Sequence, residues 1–101
     1  GAYVRVHQGR AELAMGQVEA ASRSAQGVLD AATTTYLKEQ GLWLAADAAE
    51  AAEDWPTAFA VLTALGELPS TRPAQTWYRL GVVSRALGRV ERARDAFGKV
   101  Y

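Results

Sequence analysis

The clearest pattern in the sequence lies in residues 74–100, which read AQTWYRLGVVSRALGRVERARDAFGKV. Side chains that recur there every three or four residues form one face of a helix, and they are Trp77, Leu80, Ser84 and Leu87. Gly81 lies on that face, and Ala93 follows the turn at Gly88, so two helix backbones can approach closely. Phe97 is expected to fill the gap beneath these small residues. The segment therefore predicts two packed antiparallel helices.

The same pattern occurs 35 residues earlier in the chain. A shift by that length aligns Leu42 with Trp77 and Leu62 with Phe97. Before residue 34 a looser copy can be placed at an offset of 37, through Gly9, Gly16, Ala21 and Val28. Because internal repeats of this length are typical of stacked helical hairpins, the spacing indicates a repeat architecture.

Glycine and proline divide the rest of the chain into further helices. Breaks fall at Gly16, at Asp54-Trp55-Pro56 and at Gly88, with longer ones at 30–35 and 67–73. The 21 alanines favour helix throughout, and no strand pattern competes with it. We predict an all-α fold with about six helices, at 3–15, 18–30, 35–52, 56–65, 73–87 and 90–100.

The residues quoted above resemble the tetratricopeptide repeat, whose pattern is W-x-x-L-G-x-x-Y…A-x-x-x-F. The segment Trp77-x-x-Leu80-Gly81-x-x-Ser84, followed by Ala93 and Phe97, departs from it only in having serine for tyrosine. The resemblance implies antiparallel hairpins stacked as a right-handed solenoid. It implies one domain over 1–101, with repeats near 2–33, 35–69 and 73–101. The first is the weakest, since Arg5, Gln8 and Glu12 stand where bulky apolar residues are usual.

The resemblance also implies a binding surface, because the first helices of such repeats line a concave groove that holds a peptide or a helix. The residues at groove-lining positions are Trp43, Asp47, Glu50, Gln75, Tyr78, Val82, Arg85 and Arg10. A tryptophan beside two carboxylates would suit a ligand with an apolar anchor and a basic residue. The alternatives are that Trp43 is a core residue and that the carboxylates form a solvated face. The chain contains no asparagine, so the clamp that grips a C-terminal carboxylate in some family members is absent.

The charges are unevenly distributed although they sum to zero. Residues 34–68 carry one basic and six acidic side chains, a net −5, whereas residues 69–101 carry seven basic and two acidic ones, a net +5. This asymmetry could steer a charged partner, or the two segments attract each other within the domain. We expect no nucleic-acid binding, since acidic residues interrupt the basic segment and no nucleic-acid motif accompanies it.

Several function classes are excluded by what the chain lacks. It has no cysteine and one histidine, His7, and no phosphate-binding, zinc or nucleophile motif. We therefore expect neither catalysis nor a cofactor or metal. No apolar run is long enough to span a membrane. Cytoplasmic and periplasmic locations both stay open, since a targeting segment could be missing from this sequence.

The last predicted helix keeps an apolar edge at Phe97, Val100 and Tyr101. Because terminal solenoid helices usually have a polar outer face, we expect either a fragment of a longer protein or a homodimer formed through this helix. The leading function is a non-catalytic scaffold or adaptor of a larger bacterial protein that binds another protein or peptide. The alternatives are a sensor or dimerisation domain of a bacterial transcriptional regulator, and a periplasmic cell-envelope assembly factor.

Overall fold

The computed structural model describes residues 1–69 and 73–100, which form six α-helices and no strand. They are α1 (Ala2–Ala14), α2 (Val18–Ala31), α3 (Thr35–Ala51), α4 (Trp55–Glu67), α5 (Pro73–Ala86) and α6 (Val90–Gly98). The predicted all-α class and helix count are confirmed, and each predicted boundary lies within two residues of the observed one.

Two helices begin at side-chain caps. The hydroxyl of Thr34 accepts a hydrogen bond from the backbone N–H of Leu37 at 3.1 Å. The carboxylate of Asp54 accepts one from the N–H of Thr57 at 3.4 Å, with Pro56 in the first turn. Such caps satisfy N–H groups that have no partner inside the helix.

The turns inside the three hairpins share one geometry. Each contains a residue with positive φ, namely Gly16 at 77°, Glu53 at 56° and Gly88 at 74°. In each, the N–H of the next residue bonds to a carbonyl five residues back at 2.8 Å; the pairs are Gln17 to Glu12, Asp54 to Ala49 and Arg89 to Ser84. This is the Schellman ending, which usually has glycine at the positive-φ position. Glu53 occupies that position without being glycine.

The hairpins stack in chain order to form a helical repeat solenoid. Each helix packs against the next one along the chain, and α1 also packs against α3. The stack measures 39 × 27 × 18 Å. The helices α1, α3 and α5 are the first helices of the three hairpins.

Small residues set the distance between packed helices. A Cβ atom on Gly9 would lie 2.3 Å from a methyl group of Leu44, which is fully buried. A Cβ atom on Gly81 would lie 2.6 Å from the ring of Phe97, which confirms that this ring fills the space beside the glycine. Several alanines are buried as well, among them Ala93, for which a close contact was predicted; further buried ones are Ala46, Ala49 and Ala58. The alanine-rich composition therefore provides close helix packing.

The third hairpin is spaced differently from the first two. No Cα atom of α5 lies within 8 Å of one in α3, whereas α1 and α3 do approach each other within this distance. The hairpin is held instead through α4, against which α5 packs. A gap therefore opens between α3 and α5.

Candidate binding cleft between α3 and α5

The gap between α3 and α5 is a polar cleft with a volume of about 330 Å³. All of its lining residues come from the first helices of the hairpins; they are Arg10, Gln40, Trp43, Asp47, Gln75 and Arg79. Because the helix backbones stay apart here, long side chains form the walls.

Arg79 is the central residue of the cleft. One of its terminal nitrogens donates a hydrogen bond to Asp47 at 2.6 Å and a second one to Glu50. Its Nε donates to the other oxygen of Glu50 at 3.4 Å. A guanidinium that binds two carboxylates in this way fixes their positions as well as their charges.

The ion pairs continue to the first hairpin. Arg10 donates a hydrogen bond to the second oxygen of Asp47, so this carboxylate joins arginines from α1 and α5. The predicted attraction between the acidic and the basic segment is confirmed for Arg79. Arg10 is the more accessible arginine, with 40% of its side chain exposed against 17% for Arg79.

The electrostatic environment keeps Arg79 charged. Partial burial disfavours its charged form, but hydrogen bonds and attraction to Glu50 and Asp47 outweigh that effect and raise the pKa of Arg79 above its ordinary value. The guanidinium also lies over the ring of Trp43, with 5.1 Å from Cζ to the ring centroid. Cation–π attraction adds to the ion pairs at this distance.

Trp43 forms the floor of the cleft and is 4% exposed. Its indole nitrogen donates a hydrogen bond to the buried carboxylate of Glu39 at 3.3 Å. Trp43 was predicted to be either a core residue or a groove residue, and the burial of its side chain fits a core residue. The ring supports the guanidinium above it and offers little free apolar surface.

The structure gathers five of the predicted groove residues around Arg79, and they are Arg10, Trp43, Asp47, Glu50 and Gln75. Arg79 itself was not predicted, because the repeat pattern does not place this position among those expected to line the groove. The opposite charges of its segment and of α3 were the signal that pointed to it.

The other three predicted residues, Tyr78, Val82 and Arg85, lie outside the cleft, and Tyr78 and Arg85 lie near Phe97. The rings of Tyr78 and Phe97 have centroids 5.7 Å apart, and Arg85 lies over Phe97 at the same distance. In the 35-residue register, these three correspond to Trp43, Asp47 and Glu50. Arg79 contacts Trp43, Asp47 and Glu50. In contrast, Tyr78 and Val82 are exposed.

The predicted self-association edge is only partly accessible. Phe97 and Val100 are half-buried, and Tyr101 lies outside the described residues. Phe97 lines a pocket of about 310 Å³ with Arg85, Ala93 and Arg94. The larger exposed apolar side chains of this end belong to α5.

Two general features of the described residues bear on function. Within 1–69 and 73–100, no three histidine, cysteine, aspartate or glutamate side chains are placed to hold a metal ion. Of the helices described above, none combines the length and the apolar composition needed to cross a bilayer.

Comparison with known proteins relates the last hairpin to a known repeat family. Residues 75–101 match the tetratricopeptide repeat family. The matched stretch contains most of α5, the turn that follows it, and α6. No curated protein and no solved structure matches the chain. The match falls on the segment in which the repeat pattern of the sequence is clearest.

Proposed function

Since the last hairpin is a tetratricopeptide-like repeat, we propose that the chain is a non-catalytic protein-interaction module. It binds a peptide or a helix of a partner protein in the cleft between α3 and α5. The narrower roles in a bacterial transcriptional regulator or in cell-envelope assembly stay predictions, because the repeat match does not distinguish between them.

The observation that carries this proposal is the polar cleft on the face formed by the first helices. Gln40 and Gln75 line it, and neither amide is hydrogen-bonded to another side chain or backbone group within the described residues. A glutamine amide offers both a donor and an acceptor, as a peptide group does. The cleft therefore suits the backbone or a polar side chain of a bound peptide.

The charges of the cleft favour a polar or acidic ligand over a basic one. Asp47 and Glu50 are already engaged by Arg79, so a basic ligand residue would have to displace this arginine. Arg10 uses one nitrogen for Asp47 and keeps much of its guanidinium accessible. A ligand carboxylate can bind there while the pairs of Arg79 stay intact.

A selection from a phage-displayed random peptide library on the full chain tests this function. We expect selected peptides to bind Gln75→Trp at least about tenfold more weakly than the native chain in calorimetry, because the larger uncharged side chain fills the cleft. Ala74→Trp is the matched control, since Ala74 is exposed and does not line the cleft. Failure to enrich any peptide, or equal binding by both variants, would contradict the proposal.

A second candidate function, self-association, is supported by the exposed Tyr78 and Val82 on α5. The adjacent α6 carries both charge signs, through Arg94 and Asp95, so an antiparallel second copy would meet opposite charges there. Sedimentation velocity over a concentration series should show a dimer that Val82→Asp removes. Met15→Asp, at an exposed apolar residue of the first hairpin, should leave the dimer in place. A chain that is monomeric at every concentration would exclude this candidate.

A further inference from the structure

A second cavity lies between α1 and α2, and its volume is about 450 Å³. It shares no lining residue with the cleft between α3 and α5. Three of its residues are those that break the repeat pattern, namely Arg5, Gln8 and Glu12. The remaining lining residues come from α2, and they are Ala20, Arg23 and Ser24.

The polar residues of α1 replace residues that pack against a neighbouring helix in the later hairpins. In the repeat register, Arg5 corresponds to Leu42 and Gln8 to Ala45. Among the described elements, α1 packs against α2 and α3 alone. Its polar residues Arg5, Gln8 and Glu12 therefore line a cavity instead of packing against a further helix.

Gly27 lets Arg5 lie against α2, the helix from which Arg23 lines the cavity. A Cβ atom on Gly27 would lie 2.4 Å from a terminal nitrogen of Arg5 and 3.4 Å from its Cζ, so the Arg5 guanidinium rests directly on the backbone of α2. Arg23 lies four residues before Gly27 and therefore on the same face of α2. Arg5 and Arg23 therefore line the same cavity from two different helices.

The two arginines of the cavity differ from Arg10 and Arg79 in their electrostatic surroundings. Within the described residues, neither Arg5 nor Arg23 forms an ion pair. The only acidic residue of the cavity, Glu12, accepts a hydrogen bond from the hydroxyl of Ser24 at 2.5 Å. Glu12 also lies two helical turns from Arg5, about 10 Å along the axis of α1. The end of the cavity at Arg5 is therefore positive.

We propose that this cavity binds a phosphate group between Arg5 and Arg23, with the amide of Gln8 as a further donor. Guanidinium groups match the oxygens of phosphate in pairs, and two of them balance the charge of a dianion. A bound dianion would also attract both positive side chains. The phosphate comes either from the free ion or from a phosphorylated side chain of a partner.

Titration of the ¹⁵N-labelled full chain with inorganic phosphate, at constant ionic strength, tests the proposal. We expect saturable shifts of the Arg23 and Gly27 amides with a Kd of about 1 mM, as suits an open, solvated site. Shifts that do not saturate, or that sodium chloride reproduces, would overturn the proposal. A phosphoserine pentapeptide and its unphosphorylated form distinguish the two sources. Tighter binding of the phosphopeptide than of the ion indicates a partner's side chain, and equal binding indicates the free ion.

Variants test which residues hold the phosphate. We expect Arg5→Gln and Arg23→Gln each to weaken binding about tenfold. Lys38→Gln, at an exposed cation that does not line the cavity, should leave it unchanged. Native-like binding by both arginine variants would overturn the assignment.

Gly27→Ala separates a binding role from a structural one. Alanine favours helix over glycine, and the atoms that its Cβ meets belong to a long, flexible side chain, so the variant should fold with unchanged or higher thermal stability. It should nevertheless bind phosphate several-fold more weakly, because the Cβ displaces the Arg5 guanidinium. Retained stability with native affinity would show that this placement of Arg5 does not matter.

Discussion

Glu53 has a backbone conformation that residues other than glycine rarely adopt. Its φ of 56° lies in the left-handed region, at the position that Gly16 and Gly88 occupy in the other two hairpins. A side chain costs about 1–2 kcal/mol in this region because Cβ approaches the following carbonyl oxygen. The Schellman hydrogen bonds of the turn hold the residue there.

We predict that Glu53→Gly stabilises the chain by about 1 kcal/mol. The relief of the left-handed strain exceeds the extra entropy that glycine gives to the unfolded chain. Thermal unfolding should show a midpoint about 4–8 °C higher. Ala52→Gly is the control, because Ala52 has an ordinary φ of −84° and gains nothing from glycine. A lower midpoint for Glu53→Gly would mean that its side chain makes a stabilising contact.

The contact between α1 and α3 depends on Gly9. A Cβ at this position would meet Leu44 at 2.3 Å and Ser24 at 3.2 Å. Since Leu44 is fully buried, its methyl group has little room to move away. The two helices therefore pack at a distance that only glycine permits.

We predict that Gly9→Ala destabilises the chain by about 1–3 kcal/mol, as overpacking of a core does. In an unconstrained helix the same substitution is stabilising, because alanine favours helix more than glycine does. Gly98→Ala supplies the comparison, since nothing lies within 4 Å of its Cβ position. Urea unfolding of the two variants measures the difference. Equal stability of both would show that α1 and α3 separate at no cost.

The helices and turns were predictable from the sequence because their causes are local. Gly16 and Gly88 mark turns by their own conformational freedom, and Asp54 caps the helix that follows it. The importance of Arg79 was not predictable in this way, since it depends on two carboxylates about 30 positions earlier in the chain. The surroundings of Trp43 were not predictable for the same reason, because the guanidinium that covers its ring comes from another hairpin.

At the scale of the whole molecule, Arg79 links the two segments of opposite charge. It joins α5 to the carboxylates of α3, and Arg10 extends the link to α1. Zero net charge thus hides an internal attraction between the second and the third hairpin.

We predict that Arg79→Ala lowers the free energy of unfolding by about 1–3 kcal/mol, because the half-buried Glu50 loses its arginine and Asp47 keeps the pair with Arg10 alone. Arg94→Ala, at an exposed arginine without an ion pair in the described chain, should change it by less than about 0.5 kcal/mol. Denaturant unfolding gives both values. Similar losses in the two variants would indicate a general effect of removing positive charge.

The raised pKa of Arg79 sets the direction of its pH dependence. A cation whose pKa is higher in the folded state stabilises the fold fully below its ordinary pKa and loses this effect only as the pH rises through the raised value. The stability difference between the native chain and Arg79→Ala should therefore be constant from about pH 7 to pH 10. A difference that shrinks over this interval would show that Arg79 loses its proton there.

The wide spacing of α3 and α5 has a mechanical consequence. Where α1 meets α3, backbone and buried methyl groups touch, so relative motion of the first two hairpins is resisted at once. Where α5 faces α3, the backbones stay apart, and the long side chain of Arg79 bridges the gap through its ion pairs with Asp47 and Glu50. We therefore expect the stack to bend more easily between the second and third hairpins than between the first and second.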